Sequence, residues 1–378
     1  MAGGLALLCA LPVVASALPV SVPALTASQL RARIMASADE SFAGYAESNA
    51  TFGLPPLAGL TGLTSLLDGA TKMRVWQATP ARWRVDVLSD AGERDTYQLS
   101  ACQSARVGQA AARPLGDCRS YIWDSGAEQL TEVLGPQTLR LPRPADLVPP
   151  ALALRLLSEA GRKATFAVIA PLRVAGRSAA GLRMTPTDPA STVSRVDIWA
   201  EPASGLPLMV EIFGRGTVRP ALKSQFFQVS PWRPDPRVLT PARGPGTGFT
   251  MTRAGSLAGA LSNLAVVALP AELAGRRYLP VPEGYEAIGV YGGGLATFVV
   301  LGVRGPDGRN LVSDALSAGG TALGVPGGTG ALISAPLINA VIVRPDGFFA
   351  TFLLAGTVST QVLQQAAATL VTDMNELP

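Results

Sequence analysis

Histidine is missing altogether from these 378 residues. That single absence removes the commonest general base, the commonest metal ligand and every Ser-His or Cys-His nucleophile pair. Lysine is almost as scarce, with only Lys72, Lys163 and Lys223 in the chain, and none of the three completes a Ser-x-x-Lys spacing. A pair of carboxylates is the enzymatic route left open, and no spacing points to one. The expectation is therefore a protein that is not an enzyme, with no cofactor and no metal.

Charge is thin too: 15% of residues are charged and the formal net charge is +4. The positive side is almost all arginine, scattered so evenly that Arg276-Arg277 is the nearest approach to a cluster. No nucleic-acid footprint is built that way. Scattered arginines leave room for a weak attraction to anionic membrane surfaces, or are simply solvated. Cysteine is limited to Cys9, Cys102 and Cys118.

What the chain has instead is apolar residues, at 48%. That fraction suits a folded protein, and the length suits two domains. Leu5 to Leu25 is an uncharged run of Leu, Ala and Val in which Ala15-Ser16-Ala17 offers a small-x-small cleavage site. Residues 1–25 read as a signal peptide or, uncleaved, as a membrane anchor; Pro12, Pro19 and Pro23 make a continuous membrane helix less comfortable. Either way the working place is extracytoplasmic, in the periplasm or cell envelope. There Cys102 and Cys118 can oxidise, closing a polar loop of about 15 residues and stabilising the fold by roughly 3 kcal/mol. The alternative is two buried thiols.

Thr26 and Gln29 form a capping-box pattern, followed by Leu30 and Ile34 on one helical face, so a helix is expected over 27–38. Period-two alternation then dominates. Met73 and Val75, then Trp83, Val85 and Val87, alternate with charged neighbours. Tyr97, Leu99, Tyr121 and Trp123 continue the strand series, as do Leu182 and Met184, Val196 and Ile198, and Leu208, Val210 and Ile212. Pro149-Pro150 ahead of Leu152, Leu156 and Leu157 marks one interrupting helix, ended near Gly161. Asp86, Asp124, Asp197 and Glu211 fall at outward positions, where solvation or pairing with arginine is the default.

Prolines 231, 234, 236, 241 and 245 make residues 231–248 a Pro/Gly-rich linker. The expected organisation is a leader over 1–25, a β domain over 26–230, that linker, and a smaller α+β domain over 249–378. The last is expected to hold a helix around Ala271, strands near 287–291 and 296–301, a helix near 312–318, three strands over 330–354 and a helix over 360–371. Pro345-Asp346-Gly347 is a hairpin turn. Gly292-Gly293-Gly294 and Gly327-Gly328-Thr329-Gly330 do not continue into a phosphate-binding motif and are read as tight turns.

A long antiparallel sheet with few helices has to close, sandwich, or curve around something. Periodicity leaves a ligand cavity and an ordinary packed core equally open.

Several short motifs occur in a telling order: Phe42-Ala43-Gly44-Tyr45, Arg74-Val75-Trp76, Arg82-Trp83-Arg84-Val85-Asp86, Trp123-Asp124, Val174-Ala175-Gly176-Arg177, Val196-Asp197-Ile198-Trp199 and Gly205-Leu206-Pro207-Leu208. Over residues 27–230 this series resembles the superfamily of outer-membrane lipoprotein carriers (LolA) and sigma-E regulators (MucB/RseB), in particular two-domain actinobacterial members. The resemblance implies an α+β protein: an N-terminal curved antiparallel half-barrel with a helical lid, and a smaller C-terminal α+β domain. It also implies a lipid- or lipoprotein-binding role, either as a sensor acting on a membrane anti-sigma factor or as a carrier shuttling lipid between membrane sites. The two-domain layout is closer to the regulator. No catalytic residue carries over. By strand parity the cavity lining is expected to be Val75, Trp83, Val85, Tyr97, Trp123, Leu182, Met184, Ile198, Val210 and Ile212. The insertion bearing Cys102 and Cys118 departs from the family pattern.

Overall fold

The computed structural model describes residues 20–51, 68–90, 92–99, 119–124, 128–134, 143–241, 248–253, 264–281 and 287–376. Residues 1–19 of the expected leader, and the expected Cys102–Cys118 disulfide, lie outside the described residues. Among the described residues no helix is long and apolar enough to cross a membrane.

Helix α1 (Ala27–Ala36) starts as its sequence dictates: the Gln29 amide donates to Thr26 Oγ1 at 3.2 Å, and the Thr26 amide donates to Gln29 Oε1 at 2.9 Å. Strands β1 (Phe42–Thr51), β2 (Asp68–Thr79), β3 (Arg82–Ser89), β4 (Gly92–Gln98), β5 (Arg119–Asp124) and β6 (Gln129–Leu134) follow. Helix α2 (Pro149–Ala160) opens on its two prolines and stops at Gly161, whose φ of +54° takes the chain out of the helix. Five more strands complete the run: β7 (Ala164–Val174), β8 (Arg177–Pro186), β9 (Val193–Ala200), β10 (Pro207–Gly214) and β11 (Leu222–Ser230).

These strands form one curved, open sheet of twelve, in the order β12-β6-β5-β4-β3-β2-β1-β11-β10-β9-β8-β7. The member not yet named, β12 (Gly248–Arg253), comes from beyond the Pro-rich segment and runs parallel to β6. Its residues were expected to open the C-terminal part; they extend the first sheet instead. The α+β class and the half-barrel architecture stand as expected.

A second, six-stranded antiparallel sheet has the order β15-β16-β20-β19-β18-β17. Its strands are β15 (Ile288–Gly293), β16 (Ala296–Arg304), β17 (Thr321–Val325), β18 (Gly328–Ser334), β19 (Asn339–Pro345) and β20 (Ala350–Gly356). Helix α4 (Thr360–Asn375) buries Leu363, Ala367 and Leu370 against Val341, Val343 and Phe352 on one face. Helix α3 (Gly305–Ser317) packs Ala315 and Leu311 against Ala331 and Ile342 on the other. The helix expected around Ala271 is a miniature hairpin, β13 (Glu272–Leu273) with β14 (Arg276–Arg277). Ala274 and Gly275 both take positive φ there, 48° and 71°, as a two-residue hairpin turn requires.

The two sheets are joined by the β8–β9 loop. The Thr192 amide donates to Thr357 O at 3.1 Å and the Ser359 amide to Ala190 O at 2.7 Å. Ser191 Oγ donates to Leu295 O, Thr192 Oγ1 to Leu337 O, and Arg276 Nη1 to Asp188 Oδ2 at 2.8 Å. Buried loop backbone has to find partners somewhere, and here it finds them in the other sheet.

Candidate functional site

Directly opposed residues in a ladder share a face, so the register assigns each expected lining residue to a side of the large sheet. Val75 opposes Val85, and Gln77 opposes Trp83. Leu182 opposes Ile198, which opposes Val210; Met184 opposes Val196, which opposes Ile212. These eight expected residues belong to one apolar cluster, Trp83 at its margin. Leu30 and Ile34 of α1, and Leu152 and Leu157 of α2, pack into the same cluster, with Val22 and Leu25 from the segment before α1. In this structure the two helices fill the face that the strands present.

Tyr97 and Trp123 are not there. Val85 opposes Thr96, which puts Tyr97 opposite Arg84 on the other side of the sheet. Tyr97 and Trp123 instead form a small separate cluster with Leu99, Tyr121 and Leu130. Alternation along β4 and β5 groups these aromatic residues correctly, but the side they take depends on the β3–β4 turn, where Ser89 pairs with Gly92.

Two surface clefts are formed by other residues. One of about 580 Å³ is lined by Val267, Leu269, Ala271, Glu272, Arg277 and Tyr278. The other, of about 550 Å³, lies between Pro23, Arg33, Arg177 and Glu201 near the start of α1. None of the ten expected lining residues borders either.

The face away from α1 and α2 carries charge in register. Arg183 makes two bonds to Asp197, both at 2.7 Å, and Lys223 stands 3.2 Å from Glu211. Further along, Arg84 Nε donates to Asp86 Oδ1 at 2.5 Å and Nη2 to Asp95 Oδ2 at 2.8 Å. Asp86 occupies an outward position, as read from the sequence, but it is not solvated: its exposure is 0%. The Pro-rich segment contributes here, since Val238 O accepts from Arg84 Nη1 at 3.5 Å and Leu239 is buried.

Burial pushes the Asp86 carboxyl up to about 8, against the opposing pull of Arg84. Burial raises Asp95 likewise, Arg84 again opposing. Burial disfavours the charge of Arg84 itself, yet its bond to Asp86 holds it above the ordinary value. Glu93 completes the group, with one oxygen of each carboxylate within 4.8 Å of the others. Alternating acids in Glu93-Arg94-Asp95, opposite Arg84-Val85-Asp86, were the available signal. The bond from Arg84 to the Pro-rich segment could not be inferred from it.

The Gly292-Gly293-Gly294 turn joins β15 to β16 with φ of 102°, 153° and 65°. A Cβ on Gly294 would lie 3.2 Å from Lys163 Cβ, so close packing against the end of α2 accounts for the small residues.

No protein-family model matches the chain, and no curated protein matches it in sequence. Solved structures similar in fold include the crystal structure of MucB in complex with MucA(peri), at 17% identity, 90% of this chain, 97% of that chain and a TM-score of 0.48. The complex structure of Pseudomonas aeruginosa MucA/MucB is similar at 17% identity, 90% and 96% coverage, and a TM-score of 0.47. A LolA superfamily protein from Nitrosomonas europaea is similar at 12% identity, covering 58% of this chain and 99% of that one, with a TM-score of 0.25.

Proposed function

We propose that this chain is an extracytoplasmic lipid- or lipoprotein-binding regulator, acting through a membrane anti-sigma factor in an envelope-stress pathway. The observation that carries the reading is the broad apolar face built by β2, β3, β8, β9 and β10 and covered by two short helices, α1 and α2. The order of the sequence motifs over residues 27–230 supports it. The ligand unit is the twelve-stranded sheet with α1 and α2, and the second sheet contacts the partner.

The acyl chain enters by exchange. Helix α2 has no side-chain cap at its N-terminus, and it sits on the sheet through a short apolar face of Leu152, Ala153, Leu157 and Ala160. When it lifts, methylene contacts replace leucine contacts, at about 0.8 kcal/mol per buried methylene. The bound state thus needs no charged anchor. Residues 1–25 direct export, and Cys102 and Cys118 are joined in the oxidising compartment; alkylation without reductant should label neither.

Native mass spectrometry after mild extraction, together with titration of a fluorescent fatty acid, tests the reading. Bound lipid and saturable binding are expected. If neither is found, the apolar face is simply core and the reading fails. Pull-down from envelope membranes then separates roles: a regulator recovers a membrane anti-sigma factor, whereas a carrier recovers varied lipid cargo.

A further inference from the structure

We propose that Asp86, Glu93 and Asp95 bind a hard divalent cation such as calcium on the sheet face turned away from α1 and α2. The three residues stand on adjacent strands β3 and β4, where Asp86 opposes Asp95 directly. One oxygen from each lies within 4.8 Å of the other two. Carboxylate oxygens are the ligands that hard divalent cations take, calcium at about 2.3–2.6 Å and magnesium at about 2.0–2.1 Å.

Charge and burial point the same way. Arg84 binds Asp86 and Asp95 and lies 3.8 Å from Glu93 Oε1, so one guanidinium faces three carboxylates. Arg74 is 4.0 Å from Glu93 but more than half exposed, and offsets little. The decisive atoms are Asp86 Oδ2 and Asp95 Oδ1. Arg84 binds the other oxygen of each residue, and these two are buried without a hydrogen-bond donor. Their residues are 0% and 4% exposed. Buried polar atoms are nearly always paired, and orphan buried carboxyl oxygens are what a hard cation satisfies. Tyr97 Oη, 3.3 Å from Asp95 Oδ2, is a further oxygen next to the group. The site is independent of the apolar face, and it departs from the sequence expectation of no metal.

Terbium luminescence on the full chain, freed of metal with a chelator, is the test. Trp76 is a built-in antenna, its ring centroid 5.1 Å from the Arg84 guanidinium carbon. Indole excitation should give saturable terbium emission, displaced by calcium. Calcium should also raise Tm by about 3 °C at saturation. Asp86→Asn and Asp95→Asn should each weaken binding at least about tenfold, about one log unit in affinity, and Asp314→Asn on exposed α3 should leave it unchanged. The proposal is overturned if the wild-type chain shows neither emission nor a calcium-dependent Tm, or if a variant lacking both Asp86 and Asp95 carboxylates binds as well as wild type. Should either variant fail to fold, the wild-type titration decides alone.

Discussion

The guanidinium of Arg84 faces the ring of Tyr97 across the β3–β4 ladder, its central carbon 5.0 Å from the ring centroid, while its nitrogens bind Asp86 and Asp95. Removing that cation strands two buried carboxylates. Arg84→Met should therefore cost about 3–5 kcal/mol of stability. Arg84→Lys should recover only part of the loss, because an ammonium cannot reproduce the fork. Urea denaturation measures both, and a loss below about 1 kcal/mol in Arg84→Met would show that the pair is not buried as described.

Gly205, in the β9–β10 turn, seats helix α1. Its φ is +75°, and a Cβ there would fall 2.2 Å from Arg33 O. Gly205→Ala should destabilise by about 1–3 kcal/mol through backbone strain, with a further loss from displacing α1. Hydrogen exchange should locate the change at residues 27–36. Uniform exchange across the sheet, with α1 unaffected, would contradict this.

Acid should loosen the junction between the sheets. The bond from Arg276 holds the Asp188 carboxyl below its ordinary value of 3.8, helped by the Ala190 amide. A depressed carboxylate contributes its stability in full above the ordinary value, and loses it as pH falls through the lower folded value. Asp188→Asn should cost about 1.5–3 kcal/mol at neutral pH, and wild type and variant should converge as pH falls below about 4. Paired thermal melts at pH 7 and pH 3 test this; a gap that stays constant refutes it.

Leu157 in α2 is fully buried against the sheet. Leu157→Ala should cost about 2–5 kcal/mol and leave an apolar space. If α2 is the lid of an acyl site, the same variant should bind a fluorescent fatty acid more tightly than wild type, since less leucine packing is displaced. Weaker binding in a folded variant would count against α2 as the lid.

Much of the fold was legible because its local signals are strong. The Thr26–Gln29 cap, the Pro149-Pro150 start, Gly161 as a stop and the Pro345-Asp346-Gly347 turn all act through immediate backbone chemistry. Strand β7 was not legible. Pro171 and a bulge between Ile169 and Leu172 break its alternation, and as an edge strand it leaves Val168 and Leu172 exposed. The hairpin at Glu272–Arg277 was hidden for the opposite reason: Ala271, Glu272 and Leu273 favour helix, and two positive-φ residues override them. At the candidate site, the common apolar face of eight of the ten residues followed from parity within continuous strands. Tyr97 and Trp123 failed because parity does not survive a turn whose pairing is unknown. The acidic group escaped notice because the segment bonded to its Arg84, at Val238 O, lies 154 positions away along the chain.

The parallel strand Gly248–Arg253 finishes the large sheet with residues from the far side of the Pro-rich segment. A polypeptide ending at residue 230 would bare the β6 backbone along its whole length and invite another molecule to pair there. The boundary that composition suggests is therefore a poor place to divide the protein, and any shortened form that is to keep this edge covered has to run past Arg253.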